Sequence, residues 1–512
     1  MCEIFVSHPF ILQSALFSLF VFVLSFFVRN HWFRKTNGKE LNLPPSPSRL
    51  PILGNLHQLG TLPHRNLQSL AKKHGPLMLL HFGSVPALVV SSADAAKEIM
   101  KTHDLNFVNR PDSSVSKRLL YNCKDVSVAP YGEYWRQLKS ICVLQLLSNK
   151  RVQSFHFIRE EETEIMMRKI GECSSSRGVV DLSGMFVGIA NDVVCRSAFG
   201  RKYGEGENGK RFLMVLKEFL VVLGSISVGN FIPWLSWVDW VNGFDSRVEK
   251  VAREMDDFLE AVIQERSIKG QERISGDGDN FVDILLGIYM DNSTTGVSID
   301  RDSIKAIILD VFAAGTDTTA TVLEWAMTEL LRHPAFMKKL QQEVRGILKG
   351  RQQITEDDLE KMHYLKAVIK ETLRFHTPIP MLVPRIAGED VKIRGYDVLR
   401  GTMVMINAWA IGRDPDSWDE PEKFKPERFL DSEVDFKGMD FELIPFGAGR
   451  RGCPGISFSM STNEFVLANI VYKFDWELAD GVDGKDLDMK ERPGVAVGRA
   501  TPLLAVATQC AV

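Results

Sequence analysis

Cys453 stands in the stretch Pro445-Phe446-Gly447-Ala448-Gly449-Arg450-Arg451-Gly452-Cys453-Pro454-Gly455, which holds four glycines and two prolines in eleven residues. Such a composition precludes regular structure, because glycine opens positive-φ conformations and proline removes N–H donors. The loop is built to hold one atom, the Cys453 sulfur: bare backbone N–H groups and the charges of Arg450 and Arg451 favour thiolate over thiol. A thiolate held in this way is a metal ligand or a nucleophile. The plainer alternative is a Gly-rich turn with an incidental cysteine.

A second stretch, Ala314-Gly315-Thr316-Asp317-Thr318-Thr319, interrupts an apolar helical pattern running from Asp300 to Arg332. Gly, β-branched Thr and Asp all weaken a helix interior, so their presence at its centre needs a purpose. The Asp317 carboxylate beside the Thr318 hydroxyl can relay protons without admitting bulk water, and Gly315 allows a ligand to approach closely. The structural alternative is that the Thr hydroxyls back-bond to the preceding turn. A third candidate is Glu371 with Arg374, three residues apart and so on one helix face. Exposed pairs of that kind contribute little.

Phe446, Gly449, Arg451, Cys453 and Gly455 fall at the fixed positions of F-x-x-G-x-R-x-C-x-G, which resembles the haem-thiolate loop of the cytochrome P450 family. The resemblance implies that Cys453 is the axial ligand of haem b, that Arg451 meets a haem propionate, and that Phe446 lies against the cofactor. A Cys axial ligand pushes electron density toward iron and favours O–O cleavage. The run 314–319 is similar to the family's oxygen-binding motif, implying proton delivery by Asp317 and Thr318 with Gly315 beside the cofactor. Trp135 and Lys139 resemble W-x-x-x-R with lysine in place of arginine, so a single propionate contact replaces a bidentate one. Glu371 and Arg374 look like E-x-x-R completed by Arg428, a buried cluster bracing the Cys453 loop. Val383-Pro384-Arg385 resembles the segment that gives a further propionate contact through Arg385. The same likeness suggests Val115, Phe219, Ala313, Ile379, Leu382 and Val495 as residues facing a substrate.

These residues need a scaffold, and the hydrophobic periodicity describes one. Ile304, Ile307, Ile308, Val311, Phe312, Val322, Leu323, Ala326 and Leu330 give the spacing of a buried helix stopped by Pro334, roughly 50 Å long. Thr355 opens an amphipathic helix reaching Arg374, and residues 458–472 form a last helix beyond Cys453. Leu77–Phe82 and Ala87–Val90, broken by Gly83-Ser84, read as paired strands, and residues 391–407 as hairpins of a small mixed sheet. Residues 112–130 lack a sustained period and read as a functional loop. Between Arg151 and Gln264 helical stretches alternate with breaks at 171–177, 204–209 and 224–233. Residues 266–280 read as a surface loop, 212–228 and 234–240 as apolar core, and 493–497 as reaching back into the pocket. The fold class is mainly α with a small β region.

Phe10 to Val28 is an uncharged run of nineteen residues, long enough to span a bilayer at about 1.5 Å per residue. Arg29, His31, Arg34 and Lys35 follow it, so the positive-inside rule places the bulk of the chain in the cytosol. The expected organisation is therefore an anchor and basic flank (1–35), a proline-rich hinge (36–60) and a catalytic domain (61–512). A formal net charge of −3 in 512 residues gives no global field to recruit nucleic acid. Seven scattered cysteines without C-x-x-C spacing argue against a zinc site and a disulfide framework.

The family likeness implies a plant endoplasmic-reticulum monooxygenase of the A-type group. NADPH–cytochrome P450 reductase would supply electrons one at a time, O2 would bind, and a lipophilic small molecule (terpenoid, alkaloid or phenolic) would be oxidised. Two other readings are a haem-thiolate isomerase or dehydratase that consumes no O2, and a membrane-anchored haem protein that only binds a ligand. Arg136, Lys150, Arg151 and Arg450 offer positive charge for reductase docking.

Overall fold

The computed structural model describes residues 41–510 except 204–205, 271–279, 291–298 and 352, together with a few isolated positions before residue 41. The expected anchor and its basic flank lie largely outside the described residues.

Five helices position the site: α1 (Glu133–Ser140), α2 (Leu182–Phe199), α3 (Arg301–Arg332), α4 (His363–Phe375) and α5 (Ile456–Lys473). α3 starts where Asp300 caps it by accepting the Ser303 N–H at 2.8 Å, and stops before Pro334, which opens the next helix, Pro334–Leu348. The cap satisfies an N–H that has no intrahelical partner. Its apolar positions are buried as their spacing requires, and it packs against α2, α4 and α5. A Cβ on Gly315 would come within 3.0 Å of Val194 Cγ2, so this glycine serves the close crossing of α2 over α3.

The β content forms three small sheets. Strands β1 (Leu77–Phe82) and β2 (Val85–Val90) pair antiparallel, with Leu79 opposite Leu88. A third strand (β3, Val179–Asp181) precedes α2. Strands β4 (Arg385–Ile386), β5 (Val391–Ile393), β6 (Tyr396–Val398) and β7 (Met403–Ile406) follow α4, and β8 (Phe474–Leu478) and β9 (Leu504–Gln509) follow α5. The first sheet has the order β1-β2-β7-β4, with β2 and β7 parallel. β5 and β6 form a separate hairpin, and β9 lies between β3 and β8.

Several sequence-based expectations are revised. Thr355 does not open one long helix: it caps a four-residue helix, Glu356–Leu359, through a capping box with Asp358, and α4 begins anew after Met362. Residues 112–130 are not all loop, since Ser113 caps a short helix at Ser114–Leu119. The helix His156–Ser175 runs through Gly171, and Phe244–Gly270 extends past Arg266 into the expected surface loop. Residues 212–240 are core on one side alone: Phe212, Leu216, Phe219 and Val222 are buried, whereas Met214, Val221, Ile226, Trp234, Trp237 and Trp240 are exposed. The proline-rich segment, expected as a hinge, lies against β1, with Leu79 N–H donating to Pro45 O at 2.9 Å and His81 N–H donating to Asn55 Oδ1 at 2.8 Å.

Candidate active site

The Cys453 loop needs its glycines. Gly449 has φ +67°, and a Cβ there would lie 2.3 Å from Met100 O. The loop closes by Gly452 N–H donating to Gly449 O at 3.0 Å and Cys453 N–H donating to Phe446 O at 2.9 Å. Gly455, the residue before α5, donates its N–H to Cys453 Sγ at 3.3 Å, so the sulfur lies at a helix N-terminus, where negative charge is favoured. Cys453 and Phe446 line a cavity of about 270 Å³ that reaches across to α3.

Arg450 and Arg451 do not attend the sulfur, contrary to the expectation from composition. Arg450 pairs with Asp104 at 2.7 Å. Arg451 is turned away, donating to the carbonyls of Val108 (2.8 Å), Val126 (3.2 Å) and Ala129, with its guanidinium 4.3 Å from the Trp135 ring centroid. The nearest cationic influence is Lys139. Burial pushes the Cys453 thiol up, while the Gly455 N–H and the Lys139 charge pull it down.

One edge of the cavity is cationic: Arg110, Lys139, Arg385 and Arg451 all line it, with Trp135 among them. Trp135 Nε1 donates to Val126 O at 2.9 Å, and Lys139 Nζ to Gly452 O at 2.6 Å. Arg385 donates to Ala448 O at 2.8 Å and meets Asp104 at 3.2 Å. Arg110 spends its N–H groups on Ser127 O (2.9 Å), Val383 O (2.7 Å) and Pro384 O (2.9 Å). Among the described residues, Arg385 alone of these four has a carboxylate within ion-pair reach. Burial, with the charges of Arg385 and Arg451, holds Arg110 well below the usual arginine range, and burial with Arg385 pushes Arg451 down to about 10. Buried cations short of anions fit a ligand that brings its own carboxylates. A flat apolar cofactor with two carboxylate arms and a metal facing Cys453 meets that demand, and haem has this form.

Across from Cys453, α3 presents Ile307, Val311, Ala314, Gly315 and Thr318 to the cavity. The Thr318 hydroxyl donates to Ala314 O, the back-bond of the structural alternative, and its oxygen keeps lone pairs for the cavity side. Asp317 is not on the lining face. Its Oδ1 is 3.7 Å from Arg492 NH2, and burial raises its carboxyl while the charges of Arg492 and Lys217 lower it.

The E-x-x-R elements meet as the resemblance implies. Arg374 Nε and NH2 donate to the two Glu371 oxygens at 2.7 Å each, and Arg428 Nε is 3.1 Å from Glu371. Arg374 also donates to Gly412 O (2.5 Å), Pro421 O (2.9 Å) and Lys423 O (3.0 Å), pinning an irregular segment against α4.

Of the six residues expected to face a substrate, Ile379 and Leu382 line this cavity. Val115 and Phe219 are instead part of the buried core, Ala313 packs against that core, and Val495 touches Gly224. The lining positions of α3 recur at helical spacing, and residue 313 lies off that face. Residues 493–497 approach without lining the cavity: Val497 N–H donates to Pro378 O at 2.9 Å and Val497 O accepts from Trp325 Nε1 at 3.0 Å. Sequence reasoning missed Arg110, Asp104 and Asp310. Asp310 left a signal, a lone carboxylate in the apolar run Ile307-Ile308-Leu309-Asp310-Val311-Phe312.

Comparison with known proteins agrees with this geometry. The sequence profile described as Cytochrome P450 matches residues 44–505. The chain is 63% identical over 479 residues to "Cytochrome P450 71A8" of Mentha piperita, covering 93% of this chain and 92% of the relative. It is 49% identical to the "Tabersonine/lochnericine 19-hydroxylase" of Catharanthus roseus, covering 97% of this chain and 98% of the relative. In fold it resembles a zebrafish cytochrome P450 solved with abiraterone, with a TM-score of 0.75 at 24% identity over 88% of this chain and 100% of that one.

Proposed function

Because the chain belongs to the cytochrome P450 family, we propose that Cys453 ligates haem iron and that the cavity between Cys453 and α3 admits a lipophilic plant specialised metabolite for oxidation. The protein is a P450 monooxygenase of the plant A-type, with haem b as cofactor and electrons drawn from NADPH through a reductase. When bound, haem supplies the reductive activation of O2.

The chain's own residues divide the remaining work. Cys453, at the N-terminus of α5, supplies the thiolate, and Trp135, Lys139, Arg385 and Arg451, with Arg110, hold the propionates. The Thr318 oxygen, its own proton donated to Ala314 O, accepts a hydrogen bond on the cavity side and so holds a proton-bearing group in place there, and Asp317, beside Arg492 and outside the lining, exchanges protons with solvent. Glu371, Arg374 and Arg428 keep the irregular segment 412–428 in place. Ile379 and Leu382 bound the substrate, which is a terpenoid, alkaloid or phenolic scaffold.

The redox partner is NADPH–cytochrome P450 reductase, for which exposed Arg136, Lys150 and Arg450 offer charge. Residues 10–28 anchor the chain once in the endoplasmic-reticulum membrane, with the catalytic body in the cytosol. The apolar surface supports that orientation. Gly83 N–H donates to Leu53 O at 3.1 Å and Ser84 N–H to Phe231 O at 2.9 Å, so the exposed Leu50 and Leu53 of the hinge and the exposed tryptophans of 234–240 flank a common turn.

The observation that carries the reading is the Cys453 sulfur facing α3 across a cavity whose edge is an anion-poor row of cations. The test is the Soret band of the reduced protein under carbon monoxide. A thiolate-shifted band that Cys453→Ala abolishes supports the reading, and a band indifferent to that change refutes it. Turnover that requires both NADPH and O2 separates oxidation from an isomerase and from passive ligand binding.

A further inference from the structure

Four cations belong to or bond with the loop 445–455, and three of them are spent. Arg385 donates to Ala448 O and Arg450 lies within the loop, but both share the carboxylate of Asp104. Arg451 donates outward to the carbonyls of Val108, Val126 and Ala129. Lys139 is the fourth. It reaches from α1 to donate from Nζ to Gly452 O at 2.6 Å, and no carboxylate lies within ion-pair reach of it among the described residues.

The peptide group that Lys139 grips is the one that leads into Cys453. Its oxygen, on Gly452, takes the ammonium, and its N–H, on Cys453, donates to Phe446 O at 2.9 Å. A hydrogen bond at one end of a peptide polarises it and strengthens the bond at the other, so the backbone of the sulfur-bearing residue is held from both sides. The sulfur takes the Gly455 N–H at 3.3 Å. Lys139 and Cys453 line the same cavity, and Lys139 is the one side-chain charge that draws this thiol toward thiolate. A half-buried ammonium without a carboxylate, beside a sulfur that must be anionic to hold a metal, makes a matched pair. An arginine would spread its charge over a planar fork suited to carboxylates. The lysine is a compact charge with three donors, one on Gly452 O and two left for a propionate.

We propose that Lys139 is a positioning residue for the thiolate: it fixes the Gly452–Cys453 peptide and sets an unbalanced positive charge beside the sulfur, which restrains electron donation from Cys453 and raises the potential at which bound iron is reduced. The proposal rests on Cys453 being the haem ligand, and it gives Lys139 a role beyond a propionate contact. Removing the charge leaves a more strongly donating sulfur. One unit charge close by, in a medium of effective dielectric ~20, is worth about tenfold in the ferric–ferrous equilibrium, or about 59 mV for one electron.

The test uses the haem-loaded full chain, first qualified by its thiolate carbon monoxide band; absence of that band from the wild type counts against the haem-thiolate reading rather than against Lys139. Reduction midpoints are then measured by spectroelectrochemical titration, and the iron–sulfur stretch by resonance Raman scattering. Lys139→Gln keeps a donor for Gly452 O and loses the charge. It should lower the reduction equilibrium about tenfold and raise the frequency of the iron–sulfur stretch, whereas Lys139→Arg should keep both close to wild type. An unchanged midpoint in Lys139→Gln overturns the proposal. A lowered midpoint with an unchanged iron–sulfur stretch assigns the lysine to the propionates alone and overturns it too, as does a Lys139→Arg protein displaced as far as Lys139→Gln. Loss of the thiolate band in Lys139→Gln alone supports the pairing of charge with sulfur, and its loss in both variants refutes it.

Discussion

Glu371 and Arg374 are joined by two hydrogen bonds of 2.7 Å, and neither side chain is accessible to solvent. Both carboxylate oxygens and all three guanidinium nitrogens are engaged, so the pair cannot be half removed without cost. Glu371→Ala should leave Arg374 as an uncompensated buried charge and destabilise the protein by about 3–5 kcal/mol. Denaturant unfolding followed by haem absorbance checks this, and Arg374→Ala should behave alike.

Gly449 predicts a local lesion. Its φ of +67° and the 2.3 Å approach of a Cβ to Met100 O allow no side chain. Gly449→Ala should cost about 1–3 kcal/mol in backbone strain alone and shift the loop carrying Cys453. The expected outcome is lowered haem occupancy per folded protein, measured by absorbance ratio, with helical circular dichroism retained.

Glu464 on α5 gives a pH dependence outside the site. Burial pushes its carboxyl up from 4.5 to about 7. A raised carboxyl pKa means that the folded state binds the proton more tightly than the unfolded chain, so stability is greatest below about 4.5 and falls as pH rises toward 7. Glu464→Gln removes this dependence. Its Tm should exceed that of the wild type above pH 7, with the gap closing on acidification; a constant gap across that range would contradict the assignment.

Thr318 bears on chemistry rather than stability. Thr318→Ala should reduce product formation about a hundredfold, the lower range for a group that positions a proton transfer, while NADPH and O2 continue to be consumed and peroxide accumulates. Thr318→Ser should restore most of the coupling. Equal product per NADPH in wild type and Thr318→Ala would remove the hydroxyl from the mechanism.

The contiguous features were legible before the structure. The Cys453 loop, the polar interruption of α3 and the E-x-x-R pair each carry their spacing within a few residues; the folded chain brings the first two to one cavity and sets the third against the segment 412–428. Features made by distant segments were not legible. Asp104 earns its role by meeting Arg385 and Arg450, and Arg110 by lying across the carbonyls of residues 127, 383 and 384. Neither residue has a local pattern. Val115 and Phe219, named for the family likeness, are buried in the core and do not line the cavity shared by Cys453 and α3; which side of a buried helix meets a cavity depends on distant segments and is not written in the local sequence. β3, three residues long, carries too short an alternation to be read as a strand.

The middle position of β9 sets an order of assembly. β3 is translated long before β9, yet its partner residues Leu504, Ala505 and Val506 come from near the other end of the sequence, and Leu182 N–H, at the start of α2, donates to Leu503 O at 3.0 Å. While the ribosome is still elongating, β3 and β8 therefore present unpaired rims to the surroundings, a hazard for wrong pairing with other chains. A nascent polypeptide arrested before residue 504 would keep those rims open, making it a client for chaperones, whereas a released one can seal them with its own tail.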